Sequence, residues 1–178
     1  ICANVFNRAF NSSYTGGDGL EMCSTAHPNI AGGTWRNELS AAADLSEAAL
    51  EQAYIDIEDF KNDRGLLISV KPRKLVVPSE LRFEAERILK SPLRVNTANN
   101  DLNAIKTLGS IPEGYSVNNY LTDSDAWFIL TDAPRGLQYF NRRNDEFDVD
   151  NDFDTENAKF KSTMRFSVGW TDPRGVFG

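Results

Sequence analysis

The chain carries one histidine, His27, and two cysteines, Cys2 and Cys23, among 178 residues. A lone imidazole excludes multi-histidine metal sites, and any Ser-His-Asp relay would have to pass through His27, which precedes Pro28 in a loop-like stretch. Two cysteines without CxxC spacing are too few for a disulfide framework, so reduced thiols in a protein assembled in the cytosol are expected. Positive charge is also short. Nineteen Lys and Arg stand against 26 Asp and Glu, a formal net charge of -7, which opposes whole-protein attraction to phosphate backbones or anionic lipid. The dense basic spots, Arg142-Arg143 and Lys71 to Lys74, lack the interleaved aromatics on which single-strand binders stack bases. No apolar run approaches the roughly 18–20 residues of a bilayer span, and no charged-then-apolar leader opens the chain. A soluble protein is expected, and a first residue of Ile1 rather than methionine fits a truncated or processed one.

Hydrophobic residues make up 40% of the chain, enough for one ordinary core, or one core with a lobe. Residues 3 to 10 place Val5, Phe6, Ala9 and Phe10 on one helical face, as the end of a longer helix would. Ser12 to Gly19 is rich in turn formers, but its glycines fit neither GxGxxG nor GxxxxGK[ST], so a plain turn is expected there and at Gly32-Gly33. Asp44 with Glu47 three residues on reads as an N-cap. It opens a helix over 45–60 with Ala49, Leu50, Ala53, Tyr54, Ile57 and Phe60 inward and Glu47, Glu51, Gln52, Asp56 and Asp59 on a solvated face.

Leu66 to Val70 and Leu75 to Val77 read as strands separated by Lys71-Pro72-Arg73. Pro78-Ser79 opens a helix that buries Leu81, Ala85, Ile88 and Leu89 and stops at Pro92. Leu102, Ile105 and Leu108 before Gly109 suggest a short capped helix. Tyr115 to Leu121 and Ala126 to Thr131 follow as strands.

The most informative stretch alternates Ala158, Phe160, Ser162, Met164, Phe166, Val168 and Trp170 with Lys159, Lys161, Thr163, Arg165, Ser167, Gly169 and Thr171. At about 3.4 Å per residue, such a strand is roughly as long as a compact globule of this size is wide, so an elongated, flat molecule is expected. Just before it, 145–156 (DEFDVDNDFDTE) is dense in carboxylates, which invites a calcium reading. The EF-hand template fails: a loop opened at Asp148 puts Phe153 and Lys159 where glycine and glutamate belong. Asp148, Asp150, Asp152 and Asp154 are spaced by two and project to one side of an extended chain, next to the basic face of Lys159, Lys161 and Arg165. These seven residues are the candidate subunit interface, because opposite-charge ladders pair across strands or meet a neighbouring molecule. No nucleophile elbow is present, and no catalytic, cofactor or metal residues are assigned.

Several strings, KLVVPSELRFEAERILKS, TANNDLN, YLTDSDAWFILTD, DNDFDTENAKFK and RFSVGWTDPRGVFG, resemble the major capsid proteins of tailed bacteriophages with the Hong Kong ninety-seven type fold. The resemblance runs from about Ala3 to Gly178. It implies an α+β chain with an axial α/β lobe and a peripheral lobe that carries a long β-strand and the end of a spine helix. On this chain 1–43 correspond to the end of the spine helix and a peripheral segment, 44–134 to the axial lobe, and 135–178 to the return. The N-terminal arm, the extended loop and most of the spine helix have no counterpart.

The implied function is a structural subunit, without a cofactor and not an enzyme. It would assemble with copies of itself in hexamers and pentamers, with other head proteins, into the icosahedral virion shell that encloses double-stranded DNA in the bacterial cytoplasm. The alternative is a calcium-dependent binding or adhesion module built on 145–156.

Overall fold

The structure, a computed structural model, describes residues 3–94, 101–151, 154 and 157–178. Its elements are α1 (Ala3–Asn7), β1 (His27–Pro28), β2 (Thr34–Trp35), α2 (Glu47–Glu58), β3 (Pro72–Val77), α3 (Arg82–Lys90), α4 (Ala104–Leu108), β4 (Tyr115–Val117), β5 (Phe128–Thr131), β6 (Leu137–Asn151), β7 (Ala158–Trp170) and β8 (Val176–Phe177), with a 3-10 turn at Pro173–Gly175 before the last. Helices and strands are mixed along the chain, which makes the fold α+β.

The body is a four-stranded sheet in the order β4-β3-β5-β8. β3 lies parallel to β4, reached through α3 and α4, and antiparallel to β5. Its residues Leu75 and Val77 are fully buried against α2 and α3 through Leu50, Ala53, Ile57, Ala85 and Ile88. Each large side chain so buried contributes roughly 1.5–3 kcal/mol of transfer free energy. Val5, Ala9, Met22, Cys23, Phe128 and Val176 form a second cluster, which includes β3 residue Val76 and lies along α1. Asn103 joins α3 to α4: its oxygen accepts from Lys106 N, and its amide donates to the Ile88 and Ser91 carbonyls.

Several expectations need correction. The N-cap of α2 is Ser46, not Asp44, because Ser46 has the extended backbone whose hydroxyl accepts from Ala49 N at 3.1 Å. The helix is shorter than 45–60, and its acidic face is not uniformly solvated. Asp56 is buried and accepts from Arg36 at 2.8 Å and from Gln52, while Glu47 is buried beside Arg94. Leu66 to Val70 form no strand: an Asn62 turn around Gly65 diverts the chain, with one bridge between Lys61 and Leu67. Pro72 begins β3 rather than interrupting it. Phe10 is half exposed although it stacks on Phe128, and α4 buries Ile105 while Leu102 and Leu108 stay exposed. The strands expected over 115–121 and 126–131 shorten to β4 and β5 and flank β3 on either side.

His27 is buried in β1 rather than placed in a loop. It stacks on Trp35, and the Arg174 guanidinium lies 4.5 Å from the Trp35 ring centroid. Asn37 is buried beside it. Its amide nitrogen faces three carbonyls, Met22 (2.7 Å), Pro173 (3.0 Å) and Val176 (2.9 Å), so its oxygen must be the atom that accepts from Ser24 N and from His27 Nε2, each at 2.9 Å. Asp18 Oδ2 lies 2.6 Å from the other ring nitrogen. Close by, Gly136 and Gly175 cross backbone to backbone: a Cβ at Gly136 would lie 2.8 Å from Gly175 Cα.

Asn37→Ala removes the side-chain donor to the buried Met22 and Val176 carbonyls and the acceptor of Ser24 N, and should lower unfolding free energy by about 2 kcal/mol, read as a fall in urea midpoint at unchanged slope. Gly136→Ala should cost about 1–3 kcal/mol through overpacking, read the same way. Burial first, and then repulsion by Glu21, raise the Glu38 carboxyl above its ordinary value. The folded state therefore holds this proton more tightly. Its contribution is fully present below the ordinary carboxylate range and is lost as pH rises through the raised value. Glu38→Gln should raise the melting temperature at neutral pH and flatten its decline as pH rises above the ordinary carboxylate range.

Candidate assembly interface

β6 and β7 form a two-stranded antiparallel ribbon that pairs with no other strand among the described residues. β7 occupies the stretch marked by its alternation. Its partner β6, 15 residues long, was not expected over its whole length. The period of two in Asp148, Val149 and Asp150 was the signal for it, and Leu137, Tyr139 and Arg143 continue it weakly. Most side chains along the ribbon are exposed on both faces.

The root is fixed to the body by the C-terminal turn. Arg174, nearly buried, donates to the Lys61 carbonyl at 2.8 Å and pairs with Asp63 at 3.1 Å and Asp172 at 3.2 Å. Thr131 Oγ1 donates to the Arg174 carbonyl. Trp170 packs edge-on to Tyr14, against Gly16. Reading the sequence missed Asn37 and Arg174 as the residues that seat the ribbon. Arg174 had one signal, its place in the DPRG string.

On one face, aromatic pairs mark the length: Tyr139 stacks on Phe166 at 5.4 Å and Phe147 on Phe160 at 6.1 Å. The other face carries charge. Asp148 stands opposite Lys161 and Asp150 opposite Lys159. Four of the seven candidate residues thus face each other inside one chain, and their charges compensate locally. Arg165 lies opposite Arg143, whose charge is held by Glu146; that hydrogen bond keeps the Glu146 carboxyl below its ordinary value and raises the Arg143 guanidinium. Ser162 Oγ donates to Asp145 at 2.8 Å. Asp154 is exposed in the turn, and Asp152 lies outside the described residues. Along this face Asp148 and Asp150 toward the tip are balanced by lysines, and Arg165 stands beside the Arg143–Glu146 pair nearer the root.

The calcium reading of 145–156 finds no support. Lysines stand across from Asp148 and Asp150, and no three His, Cys, Asp or Glu side chains converge to hold a metal among the described residues. Residues 152, 153, 155 and 156 of that segment lie outside the described residues. No described helix is long and apolar enough to cross a membrane. The Cys23 thiol is fully buried and pushed well above its ordinary value by desolvation, with Glu38 and Glu21 adding to the effect. That environment suits an inert core residue rather than a nucleophile.

No curated protein matches the chain. Among solved structures, a virus-like particle from Pyrococcus furiosus is 12% identical, with a TM-score of 0.46, 79% of this chain covered and 54% of that one. A Mycobacterium phage Che8 structure is 19% identical, with a TM-score of 0.42 and coverages of 79% and 52%. The chain spans about half the length of each. The family model described as Phage capsid protein matches residues 3–177, body and ribbon alike, and the chain belongs to that family.

Proposed function

We propose that the chain is a structural subunit, not a catalyst, of an icosahedral phage head, built from copies of itself around double-stranded DNA. Membership of the capsid family over residues 3–177 carries this reading. In this proposal the subunits gather in hexamers and pentamers with other head proteins, assembled in the bacterial cytoplasm. Residues 44–134 form the axial lobe, and 1–43 with 135–178 belong to the peripheral one. The negative net charge suits a container, since a wall that clung to DNA would hinder packaging and release.

The candidate interface is part of the proposal. Asp148 and Asp150, balanced locally by Lys161 and Lys159, lie toward the outer end of the ribbon and Arg165 nearer its root, so the charge is graded along the strands; Asp152 and Asp154 join the candidate interface by their spacing in the sequence. Such a graded face fits the same face of a neighbouring copy when the two are displaced along the strands. Individually weak contacts suffice, because repetition on a closed lattice multiplies them.

Electron microscopy and sedimentation of the polypeptide that carries this sequence should show closed shells. Material that stays monomeric at every concentration and salt would remove the reading. Arg165→Glu should lower the assembled fraction severalfold at low ionic strength. The deficit should shrink toward 1 M salt, where the screening length is about 3 Å. An unchanged yield at all salts would take the ribbon charges out of the interface.

A further inference from the structure

The loop after α2 displays two leucines. Leu66 and Leu67 are 63% and 67% exposed, yet the loop that holds them is tightly built. Asn62 Oδ1 accepts from Arg64 N and Leu66 N, Asn62 N donates to the Leu66 carbonyl, Gly65 N donates to the Asn62 carbonyl, and Gly65 sits at φ +78. Only a residue without a Cβ takes that backbone cheaply. An apolar pair held this rigidly has little ordering cost left when it docks.

The same chain offers a hole of matching character. A pocket of about 260 Å³ opens between α2 and α4, walled by Leu50, Glu51, Ile55, Ile105, Leu108 and Ile111. For scale, an apolar cavity of roughly 150 Å³ takes up benzene. Ile55 and Leu108 at its mouth are exposed. Glu51 in its wall and Arg64 beside the leucines carry opposite charge.

Knob and hole lie on different flanks of α2. Leu67 lines the groove over Asp56, Trp35 and Phe60, whereas Leu50 and Glu51 wall the pocket. At 3.6 residues per turn, Asp56 stands about 120–140° around the axis from Leu50 and Glu51. A copy is thus poorly placed to fill its own pocket, and a contact between unlike patches runs head to tail, which closes into a ring when the rotation allows.

We propose that the Leu66-Leu67 loop of one copy seats in the α2–α4 pocket of the next copy, with Arg64 facing Glu51, as a ring-forming contact. This rests on the self-assembly reading above and names one of its interfaces.

The test uses the full polypeptide that carries this sequence, with Cys2→Ser in the cross-linking variants; Cys23 is buried and does not compete. Leu66→Ser with Leu67→Ser should leave the urea midpoint unchanged and reduce the assembled fraction at least about tenfold, as expected for a hot spot. Leu66→Cys with Leu108→Cys should yield disulfide-linked dimers and longer ladders under mild oxidation, which neither single variant gives. Arg64→Glu should weaken assembly, and adding Glu51→Arg should restore it. A folded Leu66→Ser, Leu67→Ser protein that assembles at the unsubstituted yield overturns the contact while the shell stands. Assembled Leu66→Cys, Leu108→Cys particles without cross-links do the same. Failure of the unsubstituted protein to assemble overturns the shell reading and the contact with it.

Discussion

Asn37 sets the geometry on which everything beyond the body depends. Its amide nitrogen lies within hydrogen-bond reach of three carbonyls, two of them at the C-terminal turn and the start of β8, while its oxygen takes one backbone and one imidazole N–H from the segment around Ser24 and His27. All but the Pro173 contact is buried, where an unpaired polar atom is costly, so the segments it joins are held in one arrangement. The exit of β7, the entry of β6 at Gly136 and the Arg174 ion pairs follow from that arrangement. A ribbon of two strands has little stability of its own. Its direction is inherited from the root.

Along the ribbon, apolar and ionic contacts divide the work. The aromatic pairs on one face fasten strand to strand. On the other, the Asp148 and Asp150 column opposite Lys161 and Lys159 brings opposite charges together within the subunit, so the surface offered outward is a gradient rather than a block of one sign. Exposed ion pairs are individually worth little. They suit a surface whose contacts must remain correctable while a shell is proposed to form.

Strong periodicity was legible in the sequence. Ala158 to Trp170 alternates over its whole length, and α3 announced itself by Pro78-Ser79, Ala85, Ile88 and Pro92, because a long run of one period leaves few competing structures. Short apolar runs were legible only in part: Leu75 to Val77 does lie in β3, but the neighbouring run does not form a strand. Leu66 to Val70 has the composition of a strand, but Asn62 and Gly65 close a turn whose hydrogen bonds outweigh that preference. Glu47 and Asp56 looked solvated because their partners, Arg94 and Arg36, lie far away in sequence, and such pairings leave no trace in a local window. The same holds for Asn37, whose contacts at Pro173 and Val176 are 136 and 139 residues away. The candidate charged residues were found by spacing alone; their mutual pairing needed β6, whose inner half alternates too weakly to be read.

Among the described residues neither margin of the ribbon pairs with a further strand, over strands of more than a dozen residues flanked by aromatics. A lone subunit is therefore a template for indiscriminate strand addition and fibre growth. Lysines and aspartates at every second position act as gatekeepers against that fate, since stacking a stranger in register would set like charge upon like. The sequence that shapes the ribbon thus also guards a lone subunit before the proposed assembly.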